Sequence, residues 1–152
     1  MIEKIEDVKK DRVYRAVILE NDYVEVTVLP ELGGRIYSAR DKSNGYDFVY
    51  RNHVIKPALV GLLGPWISGG IEFNWPQHHR PSTYMPVRHQ IKNNLDGSAC
   101  VTVGETENMF GLKALTEIRL YPDAVYIEIH TRYSTMAACR KPFCGGQIRL
   151  MR

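Results

Sequence analysis

The stretch YVEVTVLPELGGRIYSAR, Tyr23–Arg40, decides the fold. Val24, Val26 and Val28 alternate with Glu25 and Thr27, the period-two pattern of a strand with one buried face. Pro30 lacks a backbone donor and ends that strand. Gly33-Gly34 permits a sharp reversal, and Arg35–Arg40 returns as a second strand.

Working outward, Val13–Glu20 reads as a strand joined to Tyr23–Leu29 through the turn-prone Asn21-Asp22. Asp41–Gly45 is a polar turn, and Tyr46–Tyr50 reads as the strand after it. Further along, Tyr84–Lys92 and Ser98–Glu105 flank Asn93–Gly97. Leu112–Tyr121 and Val125–Arg132 flank Pro122-Asp123-Ala124. Both pairs predict hairpins. In the last strand Val125, Ile127 and Ile129 face one way and Tyr126, Glu128 and His130 the other. No amphipathic helix and no internal repeat interrupts the series. Many short strands separated by turn signals predict an all-β chain, an antiparallel β-sandwich.

At 152 residues the chain is one domain or part of one, long enough to bury a core. Its net charge of +3 comes from Lys and Arg interspersed with Asp and Glu, which gives no footprint for nucleic acid or an anionic membrane. The charged start, MIEKIEDVKKDR, holds no apolar segment of a signal peptide. No run reaches the roughly 18 apolar residues of a membrane span. The reading is therefore cytoplasmic, and an odd count of three cysteines fits reduced thiols.

Chemistry concentrates in GLLGPWISGGIEFNWPQHHRP, Gly61–Pro81. Gly61, Gly64 and Pro65 exclude a long helix at its start. Both tryptophans fall here, with Glu72, Asn74, Gln77, the doublet His78-His79 and Arg80, the material of a pocket wall. Glu72 beside Trp75 suits a general acid or base, or a carboxylate that only holds Arg80 or Arg35. Either His78 or His79 suits proton transfer near neutral pH, or a bond to backbone. Being adjacent, they point to opposite faces of an extended chain. Trp66 and Trp75 each suit stacking on a ligand or a place in the core; one of each is expected, with Trp75 as the stacking ring. Arg35 and Arg80 suit forked hydrogen bonds to a ligand, or a buried ion pair. Asn74 and Gln77 suit hydroxyl recognition, or the satisfaction of loop backbone.

No H-x-x-x-H or comparable spacing gathers His78, His79, His89 and Glu72 around a metal, and Cys139 and Cys144 lack two further ligands. No metal and no cofactor is expected. G-x-S-x-G, Walker and dinucleotide loops are also absent from the sequence, which argues against serine hydrolase, nucleotide hydrolase and dehydrogenase chemistry.

The runs Gly64–Pro81 and Leu29–Ser38 resemble a bacterial family of domain-of-unknown-function proteins. That family's N-terminal domain is similar to the galactose-mutarotase-like supersandwich and is usually followed by tetratricopeptide-type repeats. The resemblance covers residues 11–133, after a polar extension over 1–10. It implies a carbohydrate ligand, by analogy of fold. On that reading the catalytic candidates are Glu72 with one of His78 and His79, and the substrate-binding candidates are Arg35, Trp66, Asn74, Trp75, Gln77 and Arg80. Protein partners are expected only through the repeats, which this chain lacks. The alternative is a non-catalytic sugar-binding or regulatory module.

Residues 134–152 depart from the family pattern and read as an aberrant or disordered basic tail. With a permitted choice of codons, a one-base shift at the Tyr133 codon yields an apolar, tryptophan-rich string resembling the family's next strand. The chain is therefore expected to be a frameshifted N-terminal fragment, inactive by itself.

Overall fold

The computed structural model describes residues 8–59, 64–76 and 79–135. Among these, the strands form three antiparallel sheets. The first holds β1 (Val17–Glu20), β2 (Val24–Leu29) and β3 (Arg35–Asp41) in that order. A short pair joins β4 (Ala58–Leu59) to β5 (Pro65–Trp66). The last sheet is a meander of β6 (Arg88–Asn93), β7 (Ala99–Thr106), β8 (Leu112–Leu120) and β9 (Glu128–Thr135). The described residues contain no α-helix, only a 3-10 turn at Pro30–Leu32. None of them forms a helix long and apolar enough to cross a membrane.

The two larger sheets face each other across one core, as an all-β antiparallel sandwich requires. Leu19, Val24, Val26, Val28, Ile36 and Ala39 from the first sheet meet Val101, Val103, Ile118 and Leu120 from the second. The alternation in β2 and β8 sets this packing: Leu112, Ala114, Thr116, Ile118 and Leu120 are all buried. β3 needs a device to match. Its pairing with β2 passes from Thr27↔Ser38 to Val28↔Ile36 and skips Tyr37. That bulge lets Ile36 and Ala39, three residues apart and of opposite parity, both face the core.

Gly33 and Gly34 both have φ 71°. A Cβ on Gly34 would stand 2.8 Å from Cβ of Val103, and one on Gly33 would stand 2.2 Å from the Thr83 carbonyl oxygen. The reversal of the first sheet therefore rests directly on β7. At the other end, Asn21 Nδ2 donates to the carbonyls of Tyr121 (2.7 Å) and Ala124 (2.8 Å). Its Oδ1 accepts from the amides of Tyr23 and Val24. One side chain thus shapes the β1–β2 turn and fastens it to the β8–β9 turn.

Several expected strands differ. Tyr46–Tyr50 makes no strand: it forms a single bridge, Arg40↔Asp47, with Phe48 N–H donating to Ala39 (2.9 Å). Only Val49 of that run is buried, while Tyr46 and Tyr50 are exposed, so no apolar face holds it extended. Tyr84–Lys92 shortens to β6, because Thr83 and Met85 spend their amides on turn bonds to Arg80 and Ser82. The last strand starts at Glu128, later than Val125, and runs through Thr135, beyond Arg132. Residues 136–152, with Cys139 and Cys144, lie outside the described residues.

Gly34→Ala is expected to lower stability by at least about 1–2 kcal/mol from backbone conformation alone, with the Val103 contact adding to it. Urea unfolding of the two chains measures this. The β6–β7 turn makes a second prediction. The Ser98 hydroxyl (2.7 Å) and amide (3.0 Å) both donate to Asp96 and hold its carboxyl below the usual range. A carboxyl lowered on folding adds stability above the ordinary carboxylate pKa and loses it as pH falls through the lowered value. The gap in urea midpoint between the native chain and Asp96→Asn should therefore close between pH 7 and about pH 2.

Candidate functional site

Residues 69–76 and 79–83 gather around two buried guanidiniums. Arg35, 2% exposed, donates through Nη1 to the carbonyls of Ile67 (3.0 Å) and Gly69 (2.8 Å), and through Nε to Leu32 (3.4 Å). Its Nη2 reaches Thr83 Oγ1 at 3.2 Å. Burial pulls this guanidinium below its ordinary pKa, and the charge of Glu72 opposes that. Gly70 is pinned against β3 by a two-way backbone bridge between Ile36 and Ile71, where a Cβ on Gly70 would meet the Ile36 carbonyl oxygen at 2.5 Å.

Arg80, 1% exposed, donates to Gly33 O (2.8 Å) and Phe73 O (3.4 Å). Its Nε lies 3.2 Å from Glu105 Oε1, an ion pair not aligned as a hydrogen bond. The guanidinium stacks 4.2 Å from the centre of the Trp75 ring. Burial lowers its pKa, Glu105 and then Glu72 oppose this, and Arg35 adds to the lowering. Trp75 itself is 1% exposed and packs with Leu112, Ala114 and Phe73.

Above these cations sits Glu72. Its Oε1 accepts from the Thr83 hydroxyl, and its Oε2 from Asn74 Nδ2 (3.2 Å). His79 Nδ1 lies 3.0 Å from the same Oε2. Asn74 Oδ1 also accepts the Arg80 amide at 3.0 Å, which fixes the loop beside the histidine. His79 has φ 51°, a left-handed backbone that turns its ring back onto Glu72. The ring is partly exposed and lies 6.2 Å from the half-buried Trp66 ring, tilted by 55°. Chemically, Glu72 fixes one imidazole tautomer: with Nδ1–H donated to the carboxylate, the neutral ring carries its lone pair on Nε2.

The structure thus divides the expected site residues. Glu72, Asn74, His79 and Trp66 come together at a partly exposed position. Arg35 and Arg80 do not present their heads to solvent; both spend them on backbone carbonyls and buried polar partners. Trp75 is a core ring whose face is already occupied by Arg80, whereas Trp66 is half-buried. Gln77 and His78 lie outside the described residues. Among the described residues no group of three or more His, Cys, Asp or Glu side chains is placed to hold a metal.

Two participants escape the sequence reading. Thr83 joins Arg35 to Glu72 through one hydroxyl, and no periodic signal marks it. Glu105 pairs with Arg80 and accepts from Ser82 Oγ. It did leave a signal, being the charged member of the inward-facing series Val101, Val103, Glu105 in β7. Away from this site, Glu117, Arg119, Tyr121, Glu128, His130 and Arg132 help to line an open cleft of about 790 Å³ on the outer face of the four-stranded sheet.

The chain belongs to the family of the domain of unknown function DUF5107, whose model matches residues 3–147. A solved structure similar to it is a TPR-domain containing protein from Parabacteroides distasonis ATCC 8503. The identity is 30% and the TM-score 0.72, over 79% of this chain and 21% of that one. The chain therefore spans about a fifth of the length of that relative.

Arg35→Ala is expected to cost about 3–5 kcal/mol, because it orphans the buried carbonyls of Ile67 and Gly69 and removes a buried charge that faces Glu72. Chemical denaturation followed by tryptophan fluorescence measures the loss.

Proposed function

We propose that this domain binds a carbohydrate at the Glu72–His79–Trp66 position, within a galactose-mutarotase-like sandwich. The observation that carries the reading is the carboxylate–imidazole pair, Glu72 Oε2 to His79 Nδ1 at 3.0 Å, set beside an aromatic face in a partly exposed site. A pyranose lays its apolar C–H face on an indole and turns its hydroxyls toward polar heads. Trp66 offers that face and Asn74 an amide.

In this reading His79 moves the proton and Glu72 orients it. Interconversion of anomers needs a base at the anomeric hydroxyl and an acid at the ring oxygen, so that the C1–O5 bond opens and recloses. His79 Nε2 supplies one of the two. Glu72 accepts from Thr83, Asn74 and His79, so it acts by positioning the imidazole. Protein partners, in the same reading, come through repeats of the kind named in the TPR-domain containing relative.

A second, non-catalytic reading has its own support. The other carboxylate of the neighbourhood, Glu105, is held by Arg80 and Ser82 and does not face Glu72 as a free acid or base. The domain then reads a sugar without transforming it.

Nuclear magnetic resonance with a panel of free aldoses separates these readings. Trp66→Ala is expected to weaken binding by about 1 kcal/mol. Exchange between anomeric signals, if accelerated, should fall by about 100-fold or more in His79→Ala. Binding with no accelerated exchange selects the sugar-reading module. Failure of every aldose to shift the Trp66 or His79 resonances rejects both.

A further inference from the structure

We infer that Thr83 is a positioning residue for the Glu72–His79 pair: its buried hydroxyl relays the direction of the Arg35 donor and so decides which imidazole nitrogen holds the proton. Thr83 is almost fully buried, with Arg35 Nη2 3.2 Å from Oγ1 on one side and Glu72 Oε1 on the other. A guanidinium only donates, and a hydroxyl has one proton. With Arg35 donating into Oγ1, the hydroxyl proton goes to Glu72 Oε1; pointing it back would set it against the Arg35 N–H. The backbone of Thr83 is anchored independently of Glu72. Its amide donates to Arg80 O at 2.9 Å, and its carbonyl packs on Gly33, where a Cβ would approach to 2.2 Å.

A second arm ends on the same carboxylate. The Arg80 amide donates to Asn74 Oδ1 at 3.0 Å, so the Asn74 side chain can only turn its Nδ2 hydrogens to Glu72 Oε2, at 3.2 Å. Each oxygen of Glu72 therefore receives a proton from a partner whose own direction is fixed by a group that cannot accept. An ionised carboxylate has no proton to return. The 3.0 Å contact between Oε2 and His79 Nδ1 then requires the ring to donate. The proton sits on Nδ1, whatever else the ring touches. Thr83 acts through Glu72: without its hydroxyl, Oε1 loses its donor and the carboxylate is free to turn about its last bond. What the ring works upon rests on the carbohydrate reading above, whereas the placement of its proton does not.

Nitrogen-15 nuclear magnetic resonance of the full chain, without sugar and at about pH 9 where an ordinary imidazole is neutral, reads that proton directly. His79→Ala identifies the cross-peaks. In the native chain Nδ1 is expected to carry the hydrogen and Nε2 the lone pair. Thr83→Val keeps the shape and removes the relay. It is expected to shrink the separation of the two nitrogen shifts by at least about half, as the two tautomers mix. Thr83→Ser keeps the hydroxyl and should keep the native separation. Circular dichroism checks that each variant is folded. A native ring with its proton on Nε2 overturns the inference, and that measurement needs no variant to fold. So does a folded Thr83→Val chain with native shifts, the result of a Thr83 that only stabilises the loop. Sugar is absent throughout, so a failure of aldose binding leaves this result standing, and a failure here leaves the aldose experiment to be judged by itself.

Discussion

One guanidinium holds together segments that no shared strand connects. Arg35 leaves the glycine reversal at the start of β3 and reaches Leu32, Ile67, Gly69 and Thr83. Burying a cation costs several kcal/mol, and only a full set of acceptors with a nearby opposite charge offsets that. Three carbonyls, one hydroxyl and the field of Glu72 supply the set. The positions of Ile67, Gly69 and Thr83 beside β3 follow from it. Arg80 repeats the solution one layer away, with Gly33, Phe73 and Glu105 as its partners. The partly exposed pair of Glu72 and His79 stands on this charged floor.

That arrangement explains why the site was only partly legible in the sequence. Composition located the loop, since Trp66, Glu72, Asn74 and His79 do gather. It did not say which polar heads turn inward. Arg35 and Arg80 look like ligand-binding forks on paper, yet each belongs to the floor. Trp75 has polar neighbours in sequence and apolar ones in space, because the loop backbone turns its ring toward β8. Direction of this kind is set by partners such as Thr83 and Glu105, which lie far along the chain.

The fold was more legible, for a physical reason. In β2 and β8 a buried face demands alternation, and alternation survives in the sequence. Where the structure departs from that rule, the departure has a local cause. β3 skips Tyr37 and so breaks parity without breaking the sheet. Tyr46–Tyr50 has β-forming residues but only Val49 to bury, so propensity alone does not make it a strand. The start of β6 follows the turn that precedes it, where Met85 spends its amide on Ser82.

The bond from Asn21 to Tyr121 and Ala124 spans a hundred residues and more of sequence. A ribosome makes the first hairpin long before the turn that fastens it. During that interval Val24, Val26 and Val28 have no second sheet to cover them, and the nascent chain carries an exposed apolar face. Contacts this distant make folding slow and expose such faces for longer. The side chain that closes the sandwich therefore also sets when closure can begin: only after the β8–β9 turn has left the exit tunnel.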